Sequence, residues 1–286
     1  MKLCGRLRCG EFIITAELYP PKGTDISALM KKAGLIGPLV HGINVTDNQR
    51  ASMRLSAMAV CRLLKEKGYE PILQMTCRDR NRIALQSDLL SAYVLGIENV
   101  LILSGDHPKV GENKDAKPVY DLDPVQLLGV AKTLESGFDM SGAKLNGAPS
   151  FCLGAVVNPT ASPIEMQIEM MAKKALAGAQ FFQTQAIFDV RQFKDFLRQV
   201  KHIPAKVLPG VILLKSPKFV KFLSALPGVN IPPEIVSRIE NAKDPLQEGI
   251  SICAEAITEL KKIADGVHVM AIGMEEYIPE ILSRVK

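Results

Sequence analysis

Eight apolar, β-branched runs recur along this 286-residue chain, each followed by a stretch with helical spacing, and few architectures accept that alternation. The runs cover 12–18, 39–45, 71–75, 99–103, 151–157, 181–184, 206–211 and 267–272. Pro20-Pro21 stops the first, because proline cannot donate to a sheet ladder, and Pro209-Gly210 interrupts the seventh. Thr24 or Asp25 can cap a helix reaching about 35, and Leu55, Met58, Ala59 and Leu63 share one face of a helix over 53–67. Further helices are expected over 81–95 before Gly96, from Asp123-Pro124, over 190–200, from 217 and over 275–285. Ser162-Pro163 should open another, with Glu165 placed for a capping box. Helices at 233–240 and 245–263 form an extra pair before the last strand. Strand-then-helix units in this number predict a closed (β/α)8 TIM barrel, one domain over 1–286. The competing open, doubly wound sheet would carry a glycine-rich phosphate turn after its first strand, and GxGxxG is absent. The polar stretch 104–122 between strand four and its helix has the length of a functional loop.

Composition narrows the function. An apolar fraction of 47% supplies a sizeable core, and no apolar run approaches the roughly 18–20 residues that span a bilayer. The opening Met1-Lys2-Leu3-Cys4-Gly5-Arg6 lacks a signal peptide's apolar stretch, so no membrane and a cytoplasmic location are expected. The 35 Lys+Arg against 30 Asp+Glu are spread along the chain, and with no Trp and five Tyr there is no basic, aromatic-studded face for nucleic acid. The densest basic cluster, Arg78, Arg80 and Arg82, lies beside a helix N-terminus, where free N–H groups favour anions such as phosphate or pyrophosphate. Six Cys fall in no CxxC pair, so no metal site is expected; Cys4 and Cys9 are near enough to interact, though a cytosolic pair reads as two free thiols.

In a barrel the active site lies at the C-terminal strand ends, which here carry Glu17, Thr46-Asp47-Asn48, Thr76, Asp106, Asn158 and Thr184-Gln185. Two carboxylates among neutral hydrogen-bonding groups suit a polar heterocycle whose edge is read and protonated. Burial of Glu17 would raise its pKa from about 4.3 toward neutrality, as a general acid requires. For Asp106 the bland alternative is an Asx-turn, and for Gln185 the satisfaction of loop backbone. Other barrel chemistries find no support. Strand six, Gln180-Phe181-Phe182-Gln183-Thr184, has no Schiff-base lysine, and the four His (41, 107, 202, 268) are far apart in sequence. Neither GxSxG nor a Ser/His/Asp set is present.

The strand ends also carry a resemblance. Glu17-Leu18-Tyr19-Pro20-Pro21-Lys22, Val45-Thr46, Met75-Thr76-Cys77 and Ser104-Gly105-Asp106 follow one another in order. Then come Ala177-Gly178-Ala179, Thr184-Gln185, Phe188-Asp189, Leu208-Pro209-Gly210-Val211 and the run from Gly266 to Gly273, His268 included. This series resembles the methylenetetrahydrofolate reductase family, in particular forms from anaerobic bacteria and archaea, over essentially the whole chain. The resemblance implies an FAD-dependent oxidoreductase that reduces 5,10-methylenetetrahydrofolate to 5-methyltetrahydrofolate, with hydride passing from flavin N5 to the methylene carbon. It implies Glu17 as the general acid that opens the folate's five-membered ring. Asp106 would hydrogen-bond the pterin and lie near the flavin, Gln185 would read the pterin, and Phe222 would stack on the aminobenzoate. Thr46, Thr76, Gln74 and Lys174 would contact FAD, Lys174 through its phosphates.

Two positions depart from the family pattern: Gln74 stands for a histidine and Ser104 for an arginine that face the flavin. Arg78, Arg80 or Arg82 is expected to supply the missing pyrophosphate charge. The donor is NAD(P)H or an electron-transferring partner subunit, and an oligomer or complex is expected. The alternative is a non-reducing pterin-binding barrel that serves a methyl-transfer or electron-transfer complex; retention of Glu17 favours catalysis, because pure binding needs no tuned acid.

Overall fold

The computed structural model describes residues 2–225 and 229–286. Eight parallel strands close into a barrel in sequence order: β1 (Ile13–Leu18), β2 (Gly42–Val45), β3 (Pro71–Thr76), β4 (Asn99–Leu103), β5 (Cys152–Val157), β6 (Phe181–Ala186), β7 (Lys206–Ile212) and β8 (Gly266–Met270). The sheet closes where Ile13, Ile14, Thr15 and Ala16 of β1 pair with Gly266, Val267, His268 and Val269 of β8. Around it run α1 (Leu3–Arg8), α2 (Ser27–Ile36), α3 (Ala57–Glu66), α4 (Arg82–Val94), α5 (Pro124–Glu135), α6 (Ile164–Leu176), α7 (Val190–Val200), α8 (Pro217–Ser224), α9 (Pro233–Asn241), α10 (Pro245–Leu260) and α11 (Ile278–Ser283). The expected (β/α)8 class is present, and the extra pair before the last strand is α9 and α10. Among the described residues no helix is long and apolar enough to cross a membrane.

Local signals differ from expectation in several places, among them α3, whose buried face is Ala57, Val60, Cys61 and Leu64 rather than Leu55, Met58, Ala59 and Leu63. The capping box sits on α5, where Asp123 accepts from Gln126 N–H and Gln126 returns the bond; α6 begins after an extended Pro163 without one. Neither Thr24 nor Asp25 is the N-cap of α2, which is Ile26, although Asp25 accepts from Ser27 N–H at 2.9 Å. β7 runs unbroken through Pro209-Gly210 because β6 bulges beside it, between Gln183 and Ala186. There the Gly210 N–H donates to Thr184 Oγ1 at 3.0 Å, and a Cβ at Gly210 would sit 2.7 Å from the Thr184 carbonyl. Lastly Cys4 pairs with Cys152, Cα atoms 5.7 Å apart, and Cys9 is a free thiol; the bond joins α1 to the foot of β5 across 148 residues, a relation that local sequence spacing does not reveal.

Strand period two stacks the barrel interior in layers. At the floor, Ile13, Ile72, Leu101, Phe181 and Leu208 pack with Leu3 and Leu7 of α1, which plugs the N-terminal end. Two residues further along the strands the filling turns polar: Thr15, Asn44, Gln183 and His268 are all buried. Asn44 and Gln183 come from opposite sides of the barrel, and their amides exchange bonds of 2.8 and 3.1 Å. Gln183 also reaches Thr15 Oγ1 at 3.2 Å, and Thr15 lies 2.9 Å from His268 Nδ1. Each amide therefore finds its partner across the axis, as buried polar groups must.

Candidate active site

Glu17 stands one layer above this polar crossbar, at the C-terminal mouth. It is 9% exposed, and Gln74 Nε2 of β3 donates to its Oε2 at 3.0 Å. His268 Nε2 of β8 lies 3.6 Å from the same oxygen, and Tyr19 also hydrogen-bonds the carboxylate. Burial is the largest single influence on Glu17 and pushes its pKa up. The hydrogen bond and charge of His268, with the bonds from Tyr19 and Gln74, together outweigh it and hold the carboxyl below its ordinary value. The expected rise toward neutrality is thus reversed, because Gln74, Tyr19 and the nearby imidazole of His268 converge on the carboxylate. Tyr19 moves the other way: its own burial, then the Glu17 charge, raise its phenol. His268 is the functional candidate that sequence reading missed. Its signal was its place in the β8 run, two residues after Gly266, on the strand that flanks β1.

Asp106 lies on the exposed rim just beyond β4, and its Oδ2 accepts from Arg50 N–H at 3.2 Å. Arg50 belongs to the loop after β2, and its guanidinium lies 5.7 Å from the centre of the Phe222 ring on α8. Through Arg50, loops from three separated strands meet at one rim. Gln185 is exposed at the end of β6, beside the bulge. Asn158 instead closes a local turn, accepting from Thr160 N–H and Oγ1 at 3.1 and 2.8 Å.

The side chains expected to hold FAD are engaged within the chain. Thr46 donates to Gln49 Oε1 at 2.8 Å, and Thr76 gives both its N–H and its hydroxyl to Asp47 Oδ2 at 2.9 Å each. Arg78 is 2% exposed. It clasps Asp79 with two bonds (2.7 and 2.6 Å) and donates to the carbonyls of Asp106 (3.2 Å) and Asn48 (3.1 Å). Arg80 pairs with Asp47 and with Asp88, and Arg82 chelates Asp121, which also takes the Arg82 N–H at the start of α4. That carboxylate sits where the dipole of α4 would welcome a phosphate, and its pKa falls to about 2 through the Arg82 bonds. Lys174 donates to the Val156 carbonyl at 2.8 Å near the end of β5, and burial lowers its pKa. Among the described residues no group of three or more His, Cys, Asp or Glu could hold a metal ion.

The chain is 26% identical over 235 residues to the probable methylenetetrahydrofolate reductase (NADPH) of Caenorhabditis elegans, covering 79% of this chain and 34% of that protein. With the 5,10-methylenetetrahydrofolate reductase of Salmonella typhimurium it shares 25% over 228 residues, 78% of this chain and 72% of the relative. The chain spans about a third to a half of the longer eukaryotic relatives it matches, 46% in the case of the Schizosaccharomyces pombe protein. Among solved structures it resembles a Clostridium thermocellum protein that binds two copies of 5-methyl-5,6,7,8-tetrahydrofolic acid, with TM-score 0.71, 18% identity and coverage of 99% and 97%. An EDTA monooxygenase from Chelativorans follows at TM-score 0.58 and 8% identity, covering 96% and 94%. These structural likenesses speak for the barrel fold. The sequence model described as methylenetetrahydrofolate reductase matches residues 2–286, and on that match the chain belongs to the methylenetetrahydrofolate reductase family.

Proposed function

We propose that the barrel mouth binds a reduced folate and reduces 5,10-methylenetetrahydrofolate to 5-methyltetrahydrofolate, with Glu17 managing the proton. The observation that carries this reading is the Glu17 carboxylate, buried at the mouth and met by His268 and Gln74. Protonation of the folate's N10 breaks the bond to the bridging carbon and leaves an N5 iminium; a two-electron donor bound at the mouth, a reduced flavin or NAD(P)H, would supply the hydride that turns this carbon into the methyl group and would itself leave oxidised. A carboxyl held below its ordinary value is a poor proton store in the free protein, so its service as the acid depends on the bound folate excluding water and raising it. Asp106 lies on the same face, where a negative charge favours the iminium cation. In this reading Gln185 reads the pterin edge and Phe222 stacks on the aminobenzoyl ring, which their exposure on the rim allows.

The flavin implied by family resemblance is a separate matter. Arg78 and Arg82 are spent on Asp79 and Asp121, and Thr46, Thr76 and Gln74 each give a donor to a partner within the chain, whereas Lys174 commits one N–H to the Val156 carbonyl and Arg80 Nε is buried without a partner among the described residues. FAD binding through Arg78 or Arg82 would require their carboxylate bonds to be exchanged, while Lys174 and Arg80 keep donors for its phosphates. The engagement of Arg78 and Arg82 favours a second reading, a non-reducing folate-binding barrel that serves a larger complex.

Absorbance of the purified protein reports a bound flavin directly. Titration calorimetry with 5-methyltetrahydrofolate tests the folate site. Turnover of methylenetetrahydrofolate with NADH, NADPH or a reduced dye, with and without added FAD, tests reduction. Glu17→Gln should keep folate binding and lose reduction, and a Glu17→Gln protein that reduces at the normal rate defeats the proton assignment. Tight folate binding without turnover from any donor selects the second reading.

A further inference from the structure

Two arginines of the loop after β2 have no carboxylate partner among the described residues: Arg54, half-buried and donating to the Pro20 carbonyl, and Arg50, which is exposed. Arg54 N–H and Arg78 are tied to the same loop, and Arg78, Arg80 and Arg82 each face a carboxylate. The Arg50 guanidinium, exposed on the rim, has no carboxylate partner among the described residues, and its recorded neighbour is the Phe222 ring. Its backbone is held firmly. Asn48, Arg50 and Ala51 all take left-handed conformations (φ 48, 54 and 50), which cost free energy in residues other than glycine. Three contacts maintain them: Asp106 on the Arg50 N–H, Arg78 on the Asn48 carbonyl, and Gly111, where any Cβ would collide with the carbonyls of Arg50 and Ala51. A strained, well-anchored loop thus presents the Arg50 guanidinium to solvent with no carboxylate partner among the described residues.

Its surroundings specify a ligand. Phe222 stacks on Phe219 (centroids 6.3 Å apart, planes at 20°), and Lys215 Nζ lies 5.1 Å from the Phe219 centre. The rim therefore reads cation, ring, ring, cation, with Arg50 at the end nearer Asp106. A flat aromatic group settling on Phe222 displaces the guanidinium from the ring face. The displaced fork is then best satisfied by a carboxylate carried next to that aromatic group, because paired charge-assisted bonds exceed an exposed cation–ring contact. We infer that Arg50 is a carboxylate-binding residue of the mouth, which takes the anionic tail of an aryl-amide ligand whose ring lies on Phe222. This rests on the folate reading above, in which the aminobenzoyl group carries glutamate.

The test compares binding of 5-methyltetrahydrofolate with that of 5-methyltetrahydropteroate, the same molecule without glutamate, by calorimetry at low and high salt. The wild-type protein should prefer the glutamate-bearing ligand by about tenfold or more, with the preference shrinking in salt. Arg50→Asn, whose new side chain tolerates left-handed backbone, should reduce the preference to about twofold or less while the pteroate affinity stays within about twofold. Arg50→Lys should fall between, since it keeps the charge without the fork. A wild-type protein that binds both ligands equally, or an Arg50→Asn protein that keeps the full preference, overturns the inference. A wild-type protein that binds neither ligand overturns the folate reading itself and this subsite with it. Unchanged thermal unfolding of the Arg50 variants separates a lost contact from a collapsed loop.

Discussion

His268 Nε2 and Glu17 Oε2 lie 3.6 Å apart across the seam where β8 closes on β1, and that proximity is among the influences that hold the carboxyl below its ordinary value. Removing the imidazole leaves burial as the dominant influence on Glu17. In His268→Gln the carboxyl should therefore titrate at higher pH than in the wild type, and the acid limb of any pH–rate profile should move up with it. The check is kcat/KM against pH for both proteins, together with 5-methyltetrahydrofolate affinity. A profile that stays in place while activity merely falls would mean that His268 only fills space.

The same shift has a consequence for stability. Glu17 has a folded-state pKa below its unfolded value, so it adds stability that is present above the ordinary glutamate range and is lost as pH falls through the lowered value. Glu17→Gln should flatten the fall in denaturation midpoint on the acid side of pH 4–5, roughly the range where unfolded glutamate titrates. Urea titrations of both proteins at a series of pH values measure this directly. Parallel curves would argue that the carboxyl is unperturbed.

Arg78 clamps three segments at once, since it joins Asp79 to the carbonyls of Asn48 and Asp106. Arg78→Met keeps the stem and deletes every one of these bonds, leaving two carbonyls without their donor. A loss of about 2–3 kcal/mol is expected, moderated because Asp79 is partly solvated. Since the clamped loops carry Arg50 and Asp106, folate affinity should fall as well. Chemical denaturation and calorimetry on the one variant read both effects, and an unchanged midpoint would refute the clamp.

The Cys4–Cys152 bond closes a loop of 148 residues and fastens the plug helix α1 to the barrel floor. In the chain-entropy account a bond over so long a loop contributes about 4–5 kcal/mol. Cys4→Ser, or reduction with dithiothreitol, should lower the denaturation midpoint markedly while 5-methyltetrahydrofolate affinity at the opposite end stays near normal. A midpoint that ignores reductant would show that the helix docks through Leu3 and Leu7 alone.

Much of this molecule was written locally. Alternating β-branched runs and capped amphipathic segments determined the (β/α)8 barrel, because period two and period 3.6 are properties of consecutive residues. The barrel in turn assigns strand ends to one face, so Glu17, Asp106 and Gln185 could be nominated without coordinates. What sequence could not carry was mutual approach. That Asn44 meets Gln183 across the axis, that His268 turns the expected rise in the Glu17 pKa into a fall, and that Cys4 reaches Cys152 depend on pairs separated by 139, 251 and 148 positions. The arginine cluster makes the same point. Alternate positions 78, 80 and 82 read as an open anion site, yet Asp79, Asp47 and Asp121 occupy those guanidiniums once the loops fold over them. Charge is legible residue by residue; its neutralisation is decided by distance, and while Arg78 takes its chain neighbour Asp79, only the fold brings Asp47 and Asp121 within reach of Arg80 and Arg82.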